Sequence, residues 1–308
     1  MSNNTSKDPE QSEQRSFRLG IFFAIGGTAL FALKSIFIKL AFEEGIDATT
    51  LLTLRMLIAF PFYIVILIYA IKTRPQKAAL LNRKSALSIF TLGFLGYYLA
   101  SYLDFEGLSY VSAQLERLTL FTYPIMVALL NWFIFKEKIT LKVFLSLAIS
   151  YAGVSFLYFN ESMSGGSNVA LGTMLVATAA FSFSLYVIFS KQFIGRFGSL
   201  IFTSLAMSSS LVFILIQFFS THQFSDLNVS AKLWFLSFLL ATVSTLIPSF
   251  FTSEAINRIG ATKTSIMGSV GPVVTIFLAV NLLGEQFGWP QIIGLLLVLF
   301  GVSFLRSK

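Results

Sequence analysis

Apolar runs of about twenty residues, separated by short polar intervals, fill the chain from residue 18 to residue 305. About 20 predominantly apolar residues are what an α-helix needs to cross the hydrocarbon core of a bilayer. On that basis the pattern predicts five helices near 18–41, 50–71, 85–105, 112–135 and 141–159, and five more near 171–193, 198–220, 232–253, 262–283 and 289–305. Turn signals stand between them at Arg74-Pro75, Ser164-Gly165-Gly166-Ser167 and Trp289-Pro290. The runs are continuous rather than alternating, which argues against transmembrane strands. Residues 1–17 are polar and mixed in charge and read as a disordered tail. The first apolar run is too long, and lacks the small-residue cleavage site, for a removable signal peptide.

The pattern is written twice. Glu106, Pro124, Glu137 and Gly153-Val154-Ser155-Phe156-Leu157 reappear as Glu254, Pro272, Glu285 and Gly301-Val302-Ser303-Phe304-Leu305, every pair 148 positions apart. Leu19-Gly20 and Lys39 recur as Leu171-Gly172 and Lys191, now 152 apart. A repeat with an odd number of spans turns its second copy upside down in the bilayer, a construction common among secondary transporters. The expected fold is therefore all-α and integral to the membrane, with ten transmembrane helices in two inverted five-helix repeats. The first repeat covers 18–159, a linker 160–170 and the second repeat 171–305.

Composition agrees: 56% of the 308 residues are hydrophobic and 12% charged, where a soluble domain carries roughly a quarter charged residues. There is no cysteine and one histidine, His222, so disulfides, thiolate metal sites and histidine clusters are excluded. The net charge of +8 sits in short loops between apolar spans. It reads as membrane orientation rather than nucleic-acid binding. The basic intervals are those on the side of the amino terminus, with Lys72, Arg74, Lys77, Arg83 and Lys84, then Lys136, Lys138 and Lys142, then Lys191, Arg196, Arg258 and Lys263. The opposite intervals hold Glu43, Glu44, Asp47, Glu161, Asp226 and Glu285. The positive-inside rule then places both termini in the cytoplasm, in a multi-pass protein of the cytoplasmic membrane.

Ten helices in two repeats, a proline in helices 4 and 9 followed by a glutamate in the next loop, and the closing Gly-Val-Ser-Phe-Leu resemble the EamA repeats of the drug/metabolite transporter superfamily. The segment Gly107-Leu108-Ser109-Tyr110-Val111-Ser112-Ala113 adds to the likeness, which covers Leu19 to Leu305. The resemblance implies a pseudo-twofold bundle whose central solute cavity is lined mainly by helices 1–4 and 6–9, with helices 5 and 10 peripheral. It also implies alternating access, often in metabolite or amino-acid export. It does not supply a substrate.

Ionisable residues within the spans carry the rest of the argument, because a charge at membrane depth costs roughly 2.5–3.5 kcal/mol on insertion scales and must face a cavity or a partner. Lys34 lies about seven residues, or roughly 10 Å, below the outer end of helix 1. Arg55 lies about 8 Å into helix 2 from the same face. Glu116 and Arg117 enter helix 4 near that face, and Asp104 and Glu106 close helix 3 there. Three bases and three acids are thus expected at one depth. Two readings are open: an ion-pair network that fixes packing, or a solute pathway in which Lys34 and Arg55 receive an anionic group. Their counterparts in the second copy are Tyr186 and either Leu205 or Ala206, so the repeat itself does not require them. Glu116 is the candidate for proton coupling, with an ion pair as the plainer alternative.

Tyr97, Tyr98, Tyr102, Tyr123 and Tyr186 stand out among the aromatic residues because buried hydroxyls need partners, and Tyr98, Tyr102, Tyr123 and Tyr186 join Lys34 and Arg55 as candidate solute contacts. Pro124 and Pro272 are read as helix kinks that free backbone carbonyls. Glu137 and Glu285 are expected to favour the starts of helices 5 and 10, and the equivalent pair Glu106 and Glu254 is read mainly as structural. Phosphate-loop, metalloprotease and nucleophile-elbow motifs are absent. The expectation is a secondary active transporter of a small polar, amino-acid-like or anionic solute, most simply an exporter. It has membrane lipid around it, no nucleic-acid partner, no cofactor and an open oligomeric state. Two alternatives are translocation of a lipid or polyprenyl-linked carrier and an intramembrane enzyme, the latter lacking a second catalytic group such as histidine.

Overall fold

The computed structural model describes residues 9–136, 141–163, 168–268 and 270–304. Ten long helices account for nearly all of them, and among the described residues there is no strand. The helices are α1 (Pro9–Glu43), α2 (Ala48–Thr73), α3 (Arg83–Leu108), α4 (Ala113–Phe135), α5 (Leu141–Met163), α6 (Val169–Phe197), α7 (Ser199–Thr221), α8 (Ala231–Ile259), α9 (Ala261–Met267 continuing as Val270–Leu283) and α10 (Trp289–Phe304). Eight of these, all but α5 and α10, contain a stretch long and apolar enough to cross a membrane.

Local chemistry sets the helix starts. Asp47 accepts the Thr50 amide at 2.9 Å to open α2, Asn82 and Ser85 form a reciprocal capping box at α3, and Ser112 and Ser230 cap α4 and α8. Gly260, at φ +82°, makes the sharp junction between α8 and α9, a conformation open to glycine and costly for other residues. At the amino end the structure departs from expectation. α1 begins at Pro9, so part of the segment read as a tail is helical. Pro9 suits a first helical position, and Glu10, Gln11, Glu13, Gln14 and Arg15 are straight-chain residues of good helix propensity.

The packing follows the duplication. α1 packs on α8 and α9, α6 packs on α3 and α4, and α2 packs on α7. α5 and α10 pack on each other, and there residues in register touch their own counterparts. The Ser150 hydroxyl donates to the Val298 carbonyl at 3.4 Å, and these positions are 148 apart. Gly153 and Gly301, the same distance apart, open the crossing. A Cβ on Gly153 would lie 2.8 Å from the Gly294 carbonyl oxygen, and one on Gly301 would strike the Ser150 hydroxyl.

Two π-helical turns interrupt the bundle, Phe94–Leu99 in α3 and Thr242–Leu246 in α8, and their first residues are again 148 apart. A π turn frees carbonyls from the regular ladder and shifts the faces that follow. In α8 hydroxyls take those carbonyls: Ser244 and Thr245 both donate to Leu240, at 3.1 and 2.7 Å. In α3 the neighbouring glycines let other helices close in, Gly93 against the Ala206 carbonyl of α7 and Gly96 against the Tyr186 ring of α6.

Candidate functional site: a charged cavity between the two halves

A cavity of about 110 Å³ lies where the halves meet, and each of α1–α4 and α6–α9 contributes to its wall. Among the described residues, none from α5 or α10 lines it. Positions equivalent in the two copies face it in pairs: Tyr97 with Thr245 from the two π turns, Asp104 with Thr252, and Arg117 with Ser265. The wall is two-fold in outline and one-sided in charge. The first copy supplies Lys34, Arg55, Asp104 and Arg117, and the second supplies hydroxyls.

The charges are ordered by hydrogen bonding. Lys34 Nζ lies 2.5 Å from Asp104 Oδ2 and 3.8 Å from Glu116 Oε1. Glu116 is fully buried behind the wall and accepts the Ser35 hydroxyl at 2.6 Å. Arg117 donates through Nη2 to the Phe31 carbonyl at 2.8 Å and to Ser35 Oγ at 3.2 Å. Lys34, Asp104, Glu116 and Arg117 therefore form a neutral set of two cations and two anions, joined through Ser35. Arg55 stands outside it. Its side chain is 3% exposed, its Nε has no partner, and its guanidinium carbon lies 4.9 Å from the centre of the Phe105 ring. Among the described residues it makes no ion pair or hydrogen bond. By formal count the bases here exceed the acids by one, and the unmatched base is Arg55 on α2.

Aromatic groups form much of the remaining wall. Phe31, Phe121 and Phe183 line it together with the phenols of Tyr97 and Tyr123. The Tyr97 hydroxyl meets that of Tyr186 at 2.7 Å, and Tyr186 stacks on Phe183 at 5.7 Å, so Tyr186 buttresses the wall from behind. The Tyr123 hydroxyl donates to the Ser265 carbonyl at 3.5 Å, a contact between α4 and α9.

Several sequence-based expectations change here. Lys34, Arg55, Asp104, Arg117, Tyr123 and Pro272 all line the cavity. Glu106 does not join them: two residues on from Asp104 a helix has turned about 200°, and Glu106 faces an outer recess with Lys39, Glu43 and Asp47, accepting the Tyr110 hydroxyl at 3.3 Å. Its loss from the set turns an expected balance of three and three into an excess of one cation. Its equivalent Glu254 accepts Ser199 Oγ at 2.6 Å and Arg258 Nε at 2.8 Å. Tyr98 and Tyr102 point away from the cavity and stack with each other at 6.4 Å, Tyr98 also on Phe213 of α7. The π turn brings Tyr97 inward instead. Pro124 stands at an interruption of its helix. α4 breaks at Phe121–Thr122, and Pro124 falls in the first turn of the segment Tyr123–Phe135, where its missing N–H is not needed.

Glu285 caps a different helix from the one expected. Its carboxylate accepts the amides of Ala113 at 2.7 Å and Gln114 at 3.3 Å, at the start of α4, rather than holding the start of α10. Glu161, from the end of α5, accepts the Ser112 amide and hydroxyl at 2.7 and 2.8 Å beside it. Two acids thus meet the positive end of one helix. Glu137 lies outside the described residues.

A bundle of membrane-length helices around a small charged cavity is the architecture of a multi-pass membrane protein that handles solutes. The chain belongs to the EamA-like transporter family, whose sequence profile matches residues 18–159 and 170–307. Over 97% of both chains it is 27% identical to the "Uncharacterized transporter YcbK" of Bacillus subtilis (strain 168). It is 30% identical to an uncharacterized transporter of Methanothermobacter thermautotrophicus, over 77% of this chain and 69% of that one. A solved crystal structure matches with a TM-score of 0.65 over 95% of this chain and 96% of the other, at 16% identity, a likeness of fold.

Proposed function

We propose that the protein is a secondary active transporter that moves a small solute bearing a carboxylate or similar anionic group across the cytoplasmic membrane by alternating access. In this reading all ten helices span the bilayer as two inverted repeats, residues 18–159 and 171–305. Both termini face the cytoplasm, and the physiological direction is export. The pairing of equivalent positions around one cavity supports the inverted frame, since alternating access needs two halves that rock about a shared site. The basic loops on the amino-terminal side support the orientation.

The observation that carries the reading is the unpaired guanidinium of Arg55 in a buried cavity. A buried charge without a partner is costly, and a solute anion supplies the missing partner. The size of the cavity, about 110 Å³, disfavours a polyprenyl-linked carrier, and the names of the family and its relatives favour a transporter over an enzyme. Within the neutral network Glu116 is the group that couples transport to protons, because two carboxylates share the single ammonium of Lys34. The test is flux in reconstituted vesicles. Arg55→Gln is expected to abolish uptake of a transported anion while leaving the protein folded, and Arg55→Lys to retain part of it. Undiminished flux in Arg55→Gln would remove Arg55 from the solute pathway.

A further inference from the structure

Resting on the transport reading of this cavity, we infer that its preferred solute is a monocarboxylate with no free ammonium group, whose apolar body is about the size of one aromatic ring. The argument is one of available partners. A zwitterion needs a cation to hold its carboxylate and an anion to hold its ammonium. Arg55 is available for the first. For the second, no described residue exposes a free carboxylate oxygen to the cavity. Asp104 is the one carboxylate on the wall. One of its oxygens is taken by Lys34 at 2.5 Å, and the other, which has no hydrogen-bond partner, is buried from the cavity. Glu116 lies behind the wall, fully buried, against Ser35 and Lys34. A solute ammonium would meet Lys34, Arg55 and Arg117 without a counter-charge, and like charges in low dielectric repel strongly.

The same inventory sets the charge and shape of the anion. With Glu116 ionised, the bases of the set outnumber its acids by one, which matches a single negative charge rather than a doubly charged phosphate ester. Phe105 covers one face of the guanidinium, which leaves the in-plane donors to form the paired hydrogen bonds that a planar carboxylate accepts. Around that point the wall is aromatic, with Phe31, Phe121, Phe183, Tyr97 and Tyr123. Its volume of about 110 Å³ is below that of the roughly 150 Å³ cavity known to accommodate benzene, which makes one ring the upper limit of the apolar body.

Three probes that share one ring separate the charge types: 3-phenylpropionate, L-phenylalanine and 2-phenylethylamine. Each is titrated at neutral pH against the purified full-length protein in detergent, with thermal shift as the readout, since a ligand of the folded state raises apparent stability. The expected result is that 3-phenylpropionate half-saturates at a concentration about ten- to a hundredfold lower than phenylalanine, the span of a single charge-assisted hydrogen bond, while phenylethylamine gives no shift. In Arg55→Gln the shift by 3-phenylpropionate should vanish, and in Arg55→Lys it should persist at higher concentration. Tighter binding of phenylalanine or phenylethylamine, or no shift by 3-phenylpropionate, overturns the inference. If phenylalanine binds more tightly and still requires Arg55, the transport reading stands and only the amine-free specificity falls. If 3-phenylpropionate binds Arg55→Gln as well as the unaltered protein, Arg55 is not the anion site and both readings fail together. Should Arg55→Gln not fold, the ranking of the three probes on the unaltered protein decides the specificity.

Discussion

Lys34 of α1 and Asp104 of α3 meet at 2.5 Å, both almost fully buried, and this pair is the hinge of the charge arrangement. It commits the one carboxylate on the cavity wall, and it leaves Arg55 as the group that a solute can neutralise. Its two members are not equivalent. Asp104 has no second cation at ion-pair distance, whereas Lys34 has a second anion in Glu116 at 3.8 Å.

That asymmetry predicts unequal costs. Asp104→Asn leaves Lys34 with Glu116 to pair with, and should destabilise the protein modestly. Lys34→Met leaves two buried carboxylates with no ammonium between them, and should approach the roughly 3–5 kcal/mol typical of a broken buried pair. The double variant Lys34→Met/Asp104→Leu should recover part of that loss, because it removes one of the two stranded carboxylates and leaves Glu116 its hydrogen bond from Ser35. Thermal unfolding in detergent of the two single variants and the double one checks the order. A double variant no more stable than Lys34→Met would show that the pair is not what holds α1 to α3.

The start of α4 provides a second test. Glu161 and Glu285 reach it from two different places in the chain and accept three of its amides, those of Ser112, Ala113 and Gln114. Replacing either acid by Gln should cost about 0.5–2 kcal/mol, the usual range for a lost helix cap. The two losses should not add, since both acids act on one helix end. Hydrogen exchange over residues 112–116 is the direct readout, with faster exchange in Glu285→Gln expected at Ala113 and Gln114 before any global change in stability. Unaltered exchange there would show that the caps are dispensable.

Much of this was legible in the chain itself. The register of 148 positions marked the repeat, whereas the crossing of α5 and α10 at its anchors Gly153 and Gly301 emerged only from the structure. Charge at membrane depth picked out Lys34, Arg55, Asp104 and Arg117, because such residues need a polar surrounding. What the pattern of residues did not show is rotational. Hydropathy gives the depth of a residue but not its face, so Glu106 was grouped with Asp104, and Tyr98 and Tyr102 were preferred to Tyr97. The π turns decide those faces, and their shift of phase has no hydropathy signature. A signal was nevertheless present: Tyr97, Asp104 and Arg117 align in the repeat with Thr245, Thr252 and Ser265, all polar, while Tyr98 aligns with the apolar Leu246. Contacts between distant segments, such as Glu285 on α4, lay beyond any local pattern.

The crossing of α5 and α10 makes a prediction independent of the cavity. A methyl group at Gly301 would collide with Ser150, and one at Gly153 would press on the Gly294 carbonyl, backbone that cannot rotate away. Gly301→Ala and Gly153→Ala should each cost on the order of 1–3 kcal/mol by overpacking. Because α5 and α10 stand apart from the cavity, half-saturating probe concentrations should stay unchanged in whatever fraction of each variant is folded. Altered affinity at full folding would show that the crossing communicates with the site.

Proton coupling rests on the way Glu116 and Asp104 share Lys34. If a solute anion at Arg55 or a rocking of α1 draws Lys34 away, the two carboxylates are left facing each other, and a proton can stand in for the ammonium. Each carboxylate has one oxygen without a hydrogen-bond partner, and Glu116 is the acceptor in this scheme because Lys34 lies 3.8 Å from it but 2.5 Å from Asp104. Glu116→Gln removes the proton site but keeps an acceptor for Ser35. It should therefore preserve exchange of labelled for unlabelled solute across vesicles at equal pH, while abolishing accumulation driven by a pH gradient. The two measurements on one preparation separate coupling from binding. Loss of exchange as well would make Glu116 part of the fold rather than of the coupling, and gradient-driven accumulation at the unaltered rate would place the proton elsewhere.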